Sequence, residues 1–200
     1  CLSRGLGDVY KRQINNTSTG GEVALTPNAA LRVNGDLSVI GGDLNTNTSL
    51  VTVTGSVTNV NEIKTTGTGS LILAGSAGQD IFGDGTGIFG SIRLNNAAGA
   101  ELKAPITVGG TLNLQTGLFY INNHELTITE TGAIAGAFNA NLMIRSNGVL
   151  SDGGIRKLYP AGAHDFTFPL GVTLKYSPTR INVTSNATPG SVTILSLIHI

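Results

Sequence analysis

Two adjacent pairs of an imidazole and a carboxylate are the residues in this chain best suited to chemistry: His124 with Glu125, and His164 with Asp165. Such a pair can bind a metal or move a proton. Neighbouring residues on a strand point to opposite faces, so the members of a pair cannot easily act on one point. The sequence therefore predicts that His124 and Glu125 are solvated corner residues and that His164 and Asp165 belong to a turn.

The segment GQDIFGDGTG, residues 78–87, is the loop richest in candidate metal ligands. Asp80 and Asp84 are four residues apart among four glycines, and oxygen ligands on such a loop could hold calcium. The segment lacks the ligand spacing of an EF-hand and the glycine–aspartate repeat of calcium-stacked solenoids. A loop that bulges from the fold is the favoured interpretation, with Asp80 and Asp84 kept as calcium candidates.

Enzymatic function would need a cluster of reactive groups that the local sequence does not contain. A polysaccharide hydrolase uses two or more carboxylates close together, and no two acidic residues are adjacent in this chain. GDGTG is not followed by the Gly-Lys-Ser/Thr of a phosphate-binding loop, and no nucleophile motif is present. We therefore expect no catalytic residue and no cofactor. A carboxylate cluster could still form between distant segments, from Asp80, Asp84, Glu101, Glu125 and Glu130.

Composition narrows the class of protein and of partner. Charged residues are 12% of the chain, against about 25% in ordinary globular proteins, and the formal net charge is zero. A neutral chain has no general attraction to nucleic acid or to anionic lipid, so we expect no nucleic-acid partner. No apolar run is long enough to predict a membrane-spanning helix. The only cysteine is Cys1, which leaves residues 14–194 without disulfides or cysteine metal sites.

A short unit in which apolar and polar residues alternate recurs along the chain and positions the candidate residues named above. The unit begins at a glycine, or once at a histidine. It occurs as GDLSV, GSVTNV, GSLIL, GSIRL, GTLNL and HELTI, with NLMI as a looser copy. Spacings of 14 to 21 residues between copies favour an all-β solenoid, a parallel β-helix in which each coil covers the core of the next. An antiparallel sandwich is the alternative. The first apolar positions of the units are Leu37, Val57, Leu71, Ile92, Leu112, Leu126 and Leu142.

The composition changes at both ends of the chain and near residue 153. Residues 1–13 (CLSRGLGDVYKRQ) and 195–200 (LSLIHI) resemble peptides translated from sequencing adapters in metagenomic reading frames, so we exclude them from the fold; the alternative is that they are ordinary termini. The solenoid is predicted over residues 14–158. Four of the six prolines follow it, and residues 159–194 are predicted to be a linker and the start of a truncated immunoglobulin-like β-sandwich.

Residues 20–194 resemble the repeat region of large secreted surface proteins of Bacteroidota. The resemblance rests on GSIRLNN, ITVGGTLNL and GTLNLQTGLFYINNHELTITETGAI, and on the following segment FTFPLGVTLKYSPTRINVT. In that family a β-helix is followed by immunoglobulin-like modules and often by a sorting domain for type IX secretion. The resemblance implies an extracellular or outer-membrane-surface location.

Two functions are therefore expected from the sequence. The first is a non-catalytic structural or adhesive module that meets glycans or surface proteins through its polar faces. The second is a carbohydrate-active β-helix, a polysaccharide hydrolase or lyase with carboxylates clustered across coils. Convergence of three or more of the five acidic residues named above in one groove would favour the enzyme.

Overall fold

The computed structural model describes residues 11–15 and 21–196, and these residues form strands and turns without a helix. Three sheets, which we call faces A, B and C and whose coil strands all run parallel, form the sides of a β-solenoid. The chain visits the faces in the order A, B, C, and six coils contain one strand of each. The predicted β-solenoid is confirmed.

The strands of the six coils follow in chain order. Coil 1 contains β1 (Lys11–Asn15), β2 (Glu22–Ala24) and β3 (Ala30–Val33); coil 2 contains β4 (Asp36–Gly41), β5 (Asp43–Asn45) and β6 (Leu50–Val53); coil 3 contains β7 (Val57–Asn59), β8 (Glu62–Lys64) and β9 (Ser70–Leu73). Coil 4 contains β10 (Gln79–Phe82), β11 (Ile88–Phe89) and β12 (Ile92–Asn95); coil 5 contains β13 (Ala100–Leu102), β14 (Ile106–Val108) and β15 (Thr111–Thr116); coil 6 contains β16 (Phe119–Tyr120), β17 (Leu126–Ile128) and β18 (Ala133–Gly136).

Seven further strands follow coil 6. They are β19 (Ile144–Arg145), β20 (Ile155–Tyr159), β21 (His164–Phe168), β22 (Leu170–Val172), β23 (Lys175–Tyr176), β24 (Thr179–Val183) and β25 (Gly190–Ile194). Strands β19 and β22 extend face A in parallel, and β20 extends face B.

The alternating pattern sends one side chain inward for each one outward, and equivalent inward residues stack from coil to coil. On face C the register joins Val51, Leu71, Ile92 and Leu112, all buried. Each such residue covers the apolar surface of the coil before it, so burial accumulates through many aliphatic contacts. One continuous core therefore runs along the solenoid.

The repeat spacing predicted from the sequence mixed two periods. Leu37 and Val57 lie on face A, whereas Leu71, Ile92 and Leu112 lie on face C, and Leu126 lies on face B. Spacings near 20 compare one face with itself, and the spacing of 14 arises where the pattern passes to another face. The coil is therefore a unit of about 20 residues.

The structure does not show the predicted immunoglobulin-like sandwich in residues 159–194. Strand β22 joins face A, and β25 pairs antiparallel with β20 on face B. The four prolines lie immediately outside strands, so they remove no hydrogen bond from a ladder. Strands β22 and β25 can therefore pair with the solenoid. Strands β21 and β24 form a separate antiparallel pair. The proline positions are 160, 169, 178 and 189.

The predicted adapter peptides fall mostly outside the described residues. Lys11–Asn15 is strand β1, which pairs with β4 and crosses the predicted boundary at residue 13. At the other end, the Ser196 carbonyl accepts a hydrogen bond from the Ser146 hydroxyl at 3.3 Å. The origin of these segments stays a prediction.

Candidate functional site

The outward side of face A carries a row of charged and aromatic side chains from four neighbouring strands. The register aligns Asp80 with Glu101, Glu101 with Tyr120, and Tyr120 with Arg145. These four residues are each flanked by inward-pointing core residues, so strand alternation fixes them outward. They form one row across coils 4 to 6 and strand β19, and Gln79, Asp80, Glu101 and Tyr120 border a depression of about 110 Å³.

The two carboxylates of this row share one ammonium group. The Lys103 ammonium lies 2.6 Å from Glu101 Oε1 and 3.6 Å from Asp80 Oδ1, and the hydrogen bond with Glu101 raises the pKa of Lys103. Asn122 Nδ2 of coil 6 donates a hydrogen bond to the same oxygen, at 2.7 Å from Glu101 Oε1. Each carboxylate thus has a partner from a neighbouring strand or coil, which ties coils 4, 5 and 6 together.

The aromatic end of the row is also occupied by protein groups. The Arg145 guanidinium carbon lies 5.2 Å from the centre of the Tyr120 ring, within the range of a cation–π contact. Arg145 also donates a hydrogen bond to the Thr173 hydroxyl at 2.5 Å. These contacts join coil 6 to the strands that follow it.

The convergence that would favour an enzyme is limited to two residues. Of the five acidic residues considered, Asp80 and Glu101 share the Lys103 ammonium. Glu125 lies at the corner immediately before strand β17 of face B, where it accepts a hydrogen bond from Thr127 and pairs with Arg156 at 3.7 Å. Glu130 is exposed at the turn between faces B and C of coil 6.

Asp84 serves the loop in which it lies. Its Oδ1 accepts hydrogen bonds from the Thr86 hydroxyl at 2.6 Å and the Thr86 N–H at 2.9 Å, and the bond from the hydroxyl is the main cause of the lowered pKa of Asp84. Residues 83–87 bulge between faces A and B, whereas residues 79–82 of the predicted loop are strand β10, so the loop prediction for residues 78–87 is right only in its second half. The two calcium candidates therefore have different partners, and the described residues contain no group of three or more candidate metal ligands of the His, Cys, Asp or Glu type.

The two imidazole–carboxylate pairs occupy different kinds of position. His124 and Glu125 lie at the corner before β17, as predicted, and the backbone N–H of His124 donates to the Ile121 carbonyl at 2.9 Å. His164 and Asp165 begin strand β21, so the predicted turn is wrong. The Asp165 carboxylate is bound by Arg180 of β24, and the His164 ring contacts Tyr159. Pairing with β24 holds this segment extended.

Sequence reasoning missed Lys103 and Lys157. Lys103 follows Glu101 by two residues, so it points to the same side of face A; a correct coil register would have placed it beside Asp80. Lys157 occupies an inward position, in register with Ile128, and is 5% exposed. No sequence signal distinguishes it from an outward lysine, because the alternation of apolar and polar residue types in the sequence breaks at this position.

Comparison of the chain with protein-family models, with curated proteins and with solved structures found no match. In the described part of the chain, no helix has the length and apolar character needed to cross a membrane.

Proposed function

We propose that this chain is a non-catalytic structural and adhesive module of a secreted or cell-surface bacterial protein. The observation that carries the proposal is the unbroken parallel stacking of six coils on one core. Neighbouring strands in a sheet are about 4.8 Å apart, so each coil adds a fixed length to a stiff rod. Repetition of such a unit produces length without a new core for each segment.

The pairing of charges supports a structural role for the outward residues of faces A and B. Lys103 joins coils 4 and 5, and Lys64 on face B contacts Asp43 at 2.8 Å and Glu22 at 3.0 Å in the two preceding coils. The pKa of Lys64 is raised, mainly by its hydrogen bond with Asp43. Charged groups arranged this way keep adjacent coils in register instead of facing a reactant.

The extracellular location and the adhesive role rest on the resemblance to Bacteroidota surface proteins. In that family an immunoglobulin-like module follows the repeats. The pair β21 and β24, which among the described strands pairs with no strand of the three faces, is where we place the junction with such a module. A full-length gene that encodes a C-terminal sorting domain would support secretion, and one that encodes a cytoplasmic enzyme would contradict it.

Rigidity tests the structural proposal directly. The chain is fused between two small folded domains, and the separation of the domains is measured by small-angle X-ray scattering. A stiff solenoid gives one narrow separation, in which the six strands of face C alone span about 24 Å. A broad distribution, like that of a flexible linker of equal length, would contradict the proposal.

An assay for released reducing ends and unsaturated sugars tests the carbohydrate-active alternative, which the proximity of Asp80 and Glu101 favours. The full chain is incubated with polygalacturonate, xylan and alginate. The structural proposal predicts no product. Product that disappears in both Asp80→Asn and Glu101→Gln, with folding unchanged, would establish the enzyme instead.

A further inference from the structure

The corner between faces B and C changes height along the solenoid. The turns there contain four or five residues in coils 1 to 3 (residues 25–29, 46–49 and 65–69) and four in coil 6 (residues 129–132). In coils 4 and 5 only two residues connect the strands, Gly90–Ser91 and Gly109–Gly110. Two recessed corners therefore lie between two raised ones. We call this recess, with the face C surface beside it, the corner notch.

Three connected depressions occupy the corner notch. A depression of about 450 Å³ on the face B side and one of about 280 Å³ on the face C side meet at Gly67 and Ser91. A third, of about 330 Å³, meets the second at Thr68 and Arg93 and continues along the base of the raised turns. The first and the third depression, at about 450 and 330 Å³, each fall within the range of ligand sites, about 300–1,000 Å³.

Arg93 is the unusual residue of this surface. It lines both depressions on face C, and its Nε is buried without a hydrogen-bond partner. Among the described residues no carboxylate pairs with it. Arg32, Arg145 and Lys157 also lack a carboxylate partner, but each donates a hydrogen bond to another protein group. The fold thus leaves the hydrogen bonds of Arg93 incomplete, and a guanidinium is suited to bind a planar carboxylate through two hydrogen bonds.

The rest of the corner notch carries little charge, and it combines polar side chains with two exposed apolar ones, Ile88 on face B and Leu50 at the base of the raised turns. On face C the side chains beside Arg93 are those of Thr68, Ser91, Thr111 and Asn113, which can exchange hydrogen bonds with sugar hydroxyls. The face B side contains Glu62, and Lys64 there is already held by two carboxylates. This acidic side disfavours a densely charged polyanion.

A peptide is less suited to the corner notch than a glycan. Peptides that add to a sheet need an unpaired strand edge. At coils 4 and 5 the strands of faces B and C are paired on both sides, so no backbone edge is open there.

We propose that the corner notch binds an acidic oligosaccharide in which uronic acid units alternate with neutral sugars, with one carboxylate bound by Arg93. This inference deepens the adhesive part of the proposed function and rests on it.

Binding of a hyaluronan octasaccharide to the full chain, measured by isothermal titration calorimetry, tests the proposal. Arg93→Gln is expected to weaken binding about tenfold or more, because a charge-assisted bidentate contact is lost. Thr68→Glu, which places a carboxylate beside Arg93, is expected to do the same, and Thr68→Gln is its neutral control. Arg32→Gln is the matched arginine control: Arg32 lies in the same outward row of face C and is held by Asn34 at 2.6 Å.

Each further ligand decides one part of the proposal. Neutral dextran is expected not to bind, and heparin is expected to bind more weakly than hyaluronan. Binding that survives Arg93→Gln, or equal binding of dextran, would overturn the site. Tighter binding of heparin would overturn the preference for sparse charge, and Arg93-dependent binding of polyglutamate would replace the glycan with an acidic peptide.

The rod measurement separates this inference from the proposed function. A chain that scatters as a stiff rod but binds none of the ligands refutes the notch alone. A chain that binds hyaluronan through Arg93 and also cleaves it refutes the non-catalytic function but keeps the site.

Discussion

Replacement of Lys157 by methionine should destabilise the last coils strongly. The Lys157 ammonium donates to three backbone carbonyl oxygens of the coil 6 turn: those of Thr129 at 2.5 Å, Gly132 at 2.9 Å and Glu130 at 3.0 Å. In earlier coils the same corner is met by N–H groups of the next coil, as when Ala133 N–H donates to the Gly110 carbonyl at 3.0 Å. Face C ends at β18, so Lys157 supplies the donors that a further coil would supply.

The expected loss follows from these bonds. A hydrogen bond to a charged group contributes about 1.5–3 kcal/mol, and part of this offsets the desolvation of the ammonium. Methionine keeps the apolar stem but leaves three carbonyls without that donor. We expect Lys157→Met to lower the free energy of unfolding by about 3 kcal/mol, or the midpoint of thermal unfolding by roughly 6–12 °C.

The pH dependence gives an independent signature. Burial lowers the pKa of Lys157 from its ordinary value of 10.5. The unfolded chain then binds this proton more tightly than the folded one, so the contribution of Lys157 to stability rises as pH increases through its folded pKa toward 10.5. The difference from Lys157→Met should widen over that range.

Urea unfolding followed by circular dichroism measures both effects, from pH 7 to pH 10.5. Lys175→Met is the control, because Lys175 is exposed and a surface change should stay within about 0.5 kcal/mol. If Lys157→Met unfolds at the same urea concentration as Lys175→Met, the capping role of Lys157 is refuted.

Three further substitutions test local features of the coils. Gly153→Ala should lower the free energy of unfolding in urea by about 3 kcal/mol, because the added Cβ would collide with the backbone of the coil 6 corner. Gly190→Ala is the control and should leave this free energy unchanged, because the space around Gly190 is open. Equal effects of the two substitutions would contradict the packing at the corner. Gln79→Leu should lower the free energy of unfolding by about 3 kcal/mol, because the buried amide makes four hydrogen bonds under the corner between faces C and A. Gln115 is exposed, so Gln115→Leu should change this free energy little. A Gln79→Leu variant as stable as the wild type would contradict the role of the amide. Leu174→Gly should stabilise by about 1 kcal/mol, because Leu174 is exposed and has a φ of 59°, and a loss of thermal stability would contradict the predicted strain.

The fold class could be predicted because alternation and glycine corners are local signals. The coil register could not, since the three faces carry similar patterns; Val57 on face A and Leu71 on face C occupy look-alike positions until the strands are paired. The glycines of residues 78–87 predicted a loop there, but they did not show that residues 79–82 form strand β10 and that only residues 83–87 bulge. The end of the solenoid was not, because prolines that only flank strands look the same in sequence as prolines that stop them.

The candidate site was predictable only in part. Asp80 and Glu101 were recognised as acidic residues that could meet across coils, but their shared partner Lys103 depends on the register. The corner notch depends on differences in turn length between coils, and the unpaired state of Arg93 depends on which carboxylates lie near it. These are properties of neighbouring coils and not of any one segment.

Disulfide formation between Thr107→Cys and Thr127→Cys, in a Cys1→Ser background, tests the stacking of coils most directly. The two positions are register partners on neighbouring strands of face B, within the Cα separation of about 4.4–6.8 Å that a disulfide needs. Stacked coils predict an intramolecular disulfide, seen as the loss of two hydrogens in the intact mass, and none for Thr107→Cys with Asn113→Cys on a different face. An antiparallel sandwich would separate residues 107 and 127, so failure of that pair to oxidise in the folded protein would contradict the solenoid.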